Sequence, residues 1–221
     1  MHIPDGFLNT GTSIAAWAAS AGGLGYALQR VNRTLGERQV PLMGVTAAFI
    51  FAAQMLSFTV IGGTSGHLLG GALAAILLGP WAGMLVLTSV LVIQALLFQD
   101  GGLLALGANV FNMAMVGVVA GWVTWTLLRR LLGGRTWAVL ASGFLAGWLS
   151  VELAALMAAV ELALSGTLAW QVVVPTMGGI HALIGIGEGS ITVAVLAFLR
   201  VTRPDLLTLG QPAQMSEKSI P

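Results

Sequence analysis

All nine lysine and arginine residues of this 221-residue chain fall into three clusters, separated by long apolar stretches. Arg30, Arg33 and Arg38 form the first, Arg129, Arg130 and Arg135 the second, and Arg200, Arg203 and Lys218 the third. Basic residues that flank membrane spans gather on the cytoplasmic side. The clusters therefore fix how the stretches between them must alternate across a bilayer. Composition agrees: charged residues are only 8% and hydrophobic residues 57%, with a mean hydropathy of +0.93. A soluble domain carries about 25% charge. The class is an all-α, multi-pass membrane protein.

A crossing needs about 20 apolar residues. Counting along the chain gives about seven spans: roughly 9–28, 42–61, 67–78, 81–98, 106–128, 137–164 and 177–199. The third is short for a full crossing, so it is tilted, preceded by a re-entrant turn, or shielded by neighbours. The sixth is long and expected to tilt. Residues 165–176 read as a loop. With seven spans every basic cluster lies on one side, the N-terminus outside and the C-terminus cytoplasmic; an error of one span would scatter the clusters. Residues 1–203 then form one transmembrane domain, followed by a polar tail at 204–221.

The same topology gathers all three histidines, His2, His67 and His181, at the outer end. A histidine within a membrane often serves only as an interhelical hydrogen bonder. Three neutral imidazoles at one end also suit a soft-cation site. The Gly62-Gly63-Thr64-Ser65-Gly66 break before His67 lets backbone approach a ligand closely. The opening Met1-His2-Ile3-Pro4-Asp5-Gly6 lacks the basic residues of a secretory leader and is expected to be retained. A retained start offers the Met1 amine, the His2 amide nitrogen and the His2 imidazole. Those nitrogens can close two fused chelate rings around one ion, a donor set suited to Ni, Co, Cu or Zn. A free imidazole takes up a proton near pH 6.5, so such a site should weaken below that pH.

Other polar residues divide between binding and packing. Asp5 is a candidate partner for a ligand imidazole, although Pro4-Asp5-Gly6 also reads as a turn. Asn109 and Asn112 share one helical face and either support the metal or join helices. Gln94, Gln99 and Asp100 lie near the same end. Glu152 and Glu188 sit near mid-span, where a carboxylate is a functional candidate by default; they would be a coupling relay or hydrogen-bonded packing residues. Small residues recur at four-residue spacing, among them Gly143 and Gly147, and Gly185 and Gly189. Ala15, Ala19 and Gly23 form such a face on the first helix and are a candidate contact for a partner subunit. The chain has no cysteine, no Walker A pattern, no HExxH and no obvious internal repeat. Thiol chemistry and its own ATP hydrolysis are therefore excluded.

The opening MHIPDGFL, the segment GGTSGHLLGG, the stretch LLFQDGGLLALGANVFNMA and the segment GGIHALIGIGEG resemble the CbiM/NikM family over residues 1–200. These are substrate-binding (S) membrane subunits of energy-coupling-factor importers for cobalt and nickel. The resemblance implies a seven-helix S-component fold with the N-terminus dipped into the protein. It implies metal held by the Met1 amine, the His2 amide and imidazole nitrogens, and the His67 imidazole. Implied partners are a CbiQ-type coupling subunit, a pair of CbiO-type ATPases and a small CbiN-type membrane protein, in a bacterial cytoplasmic membrane. The chain itself would bind no nucleotide and catalyse nothing. Its end soon after the seventh span leans toward the cobalt branch. The expected cargo is Co(II), with Ni(II) the close alternative. A stand-alone proton-coupled carrier using Glu152 and Glu188 is the reading from another class, and a membrane enzyme or scaffold a third.

Overall fold

Inside a bilayer no water is present to satisfy the backbone, so apolar runs of this length close their own hydrogen bonds as helix. The computed structural model describes residues 1–36, 39–60 and 64–209. Gly62, Gly63, Arg38 and the tail from residue 210, with Lys218, lie outside the described residues.

Helix α1 (Thr10–Thr34) starts at Asn9, whose side chain accepts the Thr12 N–H at 2.8 Å. Helix α2 (Gln39–Gln54) follows. Strand β1 (Phe58–Thr59) then pairs antiparallel with β2 (Ser65–Gly66), Thr59 opposite Ser65. Gly70, at φ +77°, turns the chain into α3 (Gly71–Leu78), all eight residues of which are buried. Gly79 and Pro80 separate α3 from α4 (Pro80–Ile93), with proline at the first helical position, where no N–H is missed. Helix α4 widens into a π turn at Gln94–Phe98 and ends at Gln99, in the left-handed region. Helix α5 (Leu106–Asn109), a second π stretch (Val110–Gly117) and α6 (Val118–Leu132) form one continuous rod. Helices α7 (Thr136–Leu164) and α8 (Trp170–Thr202) are the longest, and α9 (Leu206–Leu209) is a single turn.

Four of the expected spans are matched by helices long and apolar enough to cross a membrane: 80–97, 106–132, 136–164 and 170–202. Helix α2 is apolar but shorter. Helix α1 is long enough but rich in Gly, Ser and Thr. Helix α3 reaches only about 12 Å, far less than a crossing. It is screened on its flanks by α4, α6 and α7, which is the shielded form of the short third span. The expected loop at 165–176 is corrected: α8 already begins at Trp170 and runs through Pro175. A proline this close to the helix start removes one hydrogen bond, to the carbonyl one turn back, and the helix tolerates it.

Small residues bring α7 against α8. A Cβ on Gly147 would lie 3.1 Å from the Gly189 Cα, and the Trp148 indole donates to Ala182 O at 2.9 Å. The Ala15–Ala19–Gly23 face does not behave as one surface. Gly23 packs inward, where a Cβ would overlap the Met115 methyl, whereas Ala15 and Ala19 are exposed.

Candidate metal centre

The first residues do not fray. Met1 and Ile3 are fully buried and His2 is 3% exposed. Main-chain groups of this segment need partners once water is excluded, and the structure supplies them from far along the chain. Asn109 acts as a substitute strand: its Oδ1 accepts the Ile3 N–H at 2.8 Å and its Nδ2 donates to Ile3 O at 3.1 Å. Gly102 N–H donates to the same carbonyl at 2.9 Å. The Met1 amine and the His2 N–H both point at Ser65 Oγ, at 3.2 and 3.3 Å. Two of the nitrogens singled out from the sequence thus converge on one hydroxyl.

The His2 and His67 rings lie beside each other, tilted by 35°, with centroids 4.7 Å apart. His67 Nδ1 is 2.7 Å from Leu68 O, and a carbonyl only accepts, so Nδ1 carries the proton. Among the described residues His67 Nε2, left with a buried lone pair, has no hydrogen-bond partner. His181 repeats the pattern on α8, with Nδ1 at 2.8 Å from Met177 O and no partner among them for its buried Nε2. His2 Nε2 likewise has none among them, with Asp100 Oδ2 at 3.6 Å. A buried polar atom left unpaired costs about 1–3 kcal/mol. Three of them at one end of a fold mark a place built for something else to occupy. A cavity of about 320 Å³, lined by His2, Asp5, Ser65 and Asp100 among others, opens beside them.

The electrostatics favour neutral ligands. Burial pulls the Met1 amine down to about 4, against a small opposing pull from Asp100. Burial, then the neighbouring amine, holds His2 well below its usual 6.5. His67 is lowered by burial, then by the amine, His2 and His181, with the Leu68 hydrogen bond opposing. Burial raises the Asp100 carboxyl, and the amine opposes it. Amine and imidazoles are therefore deprotonated near neutrality and can donate lone pairs without first releasing a proton. Among the described residues no group of three or more His, Cys, Asp or Glu side chains has metal-holding spacing. A site here has to draw on backbone nitrogens, which is what Met1 and His2 offer.

Several residues take roles that local sequence did not indicate. Asp5 does not face an imidazole. Its carboxylate accepts the N–H groups of Leu103, Leu104 and Ala105 at 3.0, 2.8 and 3.0 Å, latching the loop ahead of α5. The carboxylate near His2 is Asp100, and the Gly101-Gly102 pair beside it was the available clue. Asn112 donates to Glu161 at 2.6 Å, deep in the bundle, and not to the histidines. Glu152 lies between α7 and α8 beside Gly178, with Oε2 buried and unpartnered. Glu188 is bound to the backbone of the His67 segment. Ser65, Gln54 and Glu161 were not singled out, because their partners are more than ten residues away in sequence and leave no local pattern.

Comparisons with known proteins agree on one family. The model of the cobalt uptake substrate-specific transmembrane region, CbiM, matches residues 2–206. A putative fused nickel transport protein NikMN from Archaeoglobus fulgidus is 44% identical over 209 residues, covering 94% of this chain and 68% of that protein. The cobalt transport protein CbiM from Geobacter sulfurreducens is 35% identical, covering 94% and 61%. A crystal structure of a truncated transition metal transporter superposes with a TM-score of 0.83 at 36% identity, covering 91% of this chain and 99% of that one.

Proposed function

The chain belongs to the CbiM family of cobalt and nickel transport proteins, and from that premise we propose that it is the metal-capturing S subunit of an energy-coupling-factor importer. Its cargo is a single Co(II) or Ni(II) ion. The Met1 amine, the His2 amide nitrogen and the His2 imidazole Nδ1 supply three nitrogens, and His67 Nε2 the fourth. Asp100, whose Oδ2 lies 3.6 Å from the remaining His2 nitrogen, supplies a carboxylate beside the ring. His181 acts from behind His67. The single observation that carries this reading is the convergence of the amine and the His2 N–H on Ser65, beside two adjacent imidazoles in a buried site.

On this reading the chain crosses the membrane seven times, counting α3 as a shielded partial pass. The N-terminus faces outward and the arginine-rich ends face the cytoplasm. The membrane is a cytoplasmic one; relatives include archaeal proteins. The site is buried and far from the basic end, so release inward needs work from partners: a CbiQ-type coupling subunit, CbiO-type ATPases and a CbiN-type small subunit. The stand-alone relay gains nothing from Glu188, both of whose oxygens accept backbone N–H groups.

The test is nickel and cobalt content of the purified chain, parent against a chain whose Met1 amine is acetylated. Acetylation removes the amine donor and opens one of the two fused rings, and is expected to lower affinity more than about 100-fold, beyond the loss of an orienting partner alone. Parent-like binding of both ions by the acetylated chain would remove the amine from the site. The ratio of the two metals in the parent decides the cargo.

A further inference from the structure

Leu69 follows His67 by two residues, and both of its main-chain polar groups are held by side chains. Glu188 on α8, 3% exposed, accepts Leu69 N–H on Oε2 at 2.8 Å and Gly70 N–H on Oε1 at 2.7 Å. From the other side Gln54, fully buried at the end of α2, donates to Leu69 O at 2.7 Å. Gln54 Oε1 in turn accepts from Gln94 Nε2 at 2.9 Å. The Gln94 carbonyl accepts Asp100 N–H at 3.1 Å. An unbroken line of hydrogen bonds thus runs from α8 through the His67 segment and α2 to the loop that faces His2.

Each link has a physical reason. A carboxyl group in this interior is costly unless its oxygens are occupied, and the two N–H groups just ahead of α3 have no helical carbonyl to use. Gln94 sits at the first position of the π turn, and its carbonyl accepts both the Gln99 N–H that closes the turn and the Asp100 N–H. Leu68 O takes the His67 Nδ1 proton, so fixing residues 68–70 fixes the imidazole and its free Nε2.

We propose that Glu188 is the positioning residue for the His67 imidazole, and that Gln54 and Gln94 carry its hold across to the Asp100 side, setting the spacing of the two imidazoles. The proposal rests on the reading of His67 as a metal ligand. It gives the mid-span glutamate a task in holding a metal ligand in place and not in proton movement.

The experiment uses the full chain in detergent, titrated with nickel chloride, and reads both affinity and the ligand-field absorption band of the bound ion. Glu188→Gln replaces one acceptor by a donor that faces a backbone N–H. It should weaken nickel binding about 10–100-fold and shift the band in the same direction as His67→Ala, because the fourth nitrogen is displaced in both. Gln94→Leu cuts the line without touching the His67 segment and should give a smaller loss, about three- to tenfold, with the same direction of shift. A merely structural role would lower thermal stability and leave the band of the bound metal unmoved. A Glu188→Gln protein with parent affinity and band overturns the proposal. Should that variant not fold, Gln94→Leu decides, and parent affinity and band there overturn it. If His67→Ala itself binds like the parent, the underlying reading of the site fails instead, which is a different result.

Discussion

Two extended segments meet at the candidate metal centre, and they are held in opposite ways. Residues 1–6 are attached at one end only. Their place depends on fit: Asn109 pairs with Ile3, Asp5 latches 103–105, and Gly101 and Gly102 leave room for them. Residues 64–70 are anchored at both ends, by the β1–β2 ladder and by α3. Their place is trimmed by polar contacts from Glu188 and Gln54. The difference teaches where each half is vulnerable. Added bulk should hurt the first, and lost hydrogen bonds the second.

The strongest way to break that contrast is Gly102→Ala. A Cβ there would overlap Asp5 Oδ1 and crowd its backbone nitrogen, and both belong to packed, hydrogen-bonded chain that cannot give way cheaply. Nickel affinity is expected to fall about 100-fold while the helical circular dichroism stays at the parent level. Binding within threefold of the parent would mean that the first segment is not positioned by fit.

The acidity of the site sharpens the contrast next. Burial holds the amine near 4 and both imidazoles below 6.5. In the folded, metal-free protein these groups are already unprotonated at neutral pH, so metal does not compete with their protons. The one proton that must leave is that of the His2 amide. Nickel affinity should therefore fall about tenfold per pH unit between pH 8 and 5, the slope of a single released proton. Isothermal titration in buffers of differing ionisation enthalpy should count the same one. A slope steepening below pH 6.5 to about three protons would show imidazoles open to water.

The smallest effect is expected at Ala19→Leu. Ala19 is exposed on α1. Nickel affinity of the isolated chain should stay within about twofold, inside the range of surface substitutions. Uptake by cells that carry the whole transporter should drop if this face meets a partner. Loss of metal binding would place Ala19 in the packing that supports the first segment.

How far the molecule was legible follows from the reach of each interaction. The spans at 81–98, 106–128 and 137–164 rest on apolar length and lie within a few residues of the helices found. The loop expected at 165–176 gives way to helix at Trp170, and the helix runs through Pro175. The pair His2 and His67 could be singled out from a chelating terminus and a glycine-rich break, both local signals. Asp5 was a candidate partner for the imidazole or part of a turn, and it latches 103–105, whereas Asp100, 98 positions beyond His2, is the carboxylate near that ring. The expectation of weakening at 6.5 assumed a solvated imidazole, and burial moves that point down. Ser65, Gln54 and Glu161 act across 64, 15 and 49 positions, and nothing short-range announces them.

The 119-residue separation between Leu69 and Glu188, and the 106 between Ile3 and Asn109, also set an order in time. Ribosomes emit the N-terminus first, at about 5–20 residues per second. Once Leu69 has been made, Glu188 follows roughly 6 to 24 seconds later at that pace. The partners of the first segment, at 102–109, are thus made well before Glu188, so residues 1–6 can be seated before the His67 segment gains its hold from α8. On the proposed ligand set, a metal ion met in that interval would find the three N-terminal nitrogens without an imidazole that α8 has fixed.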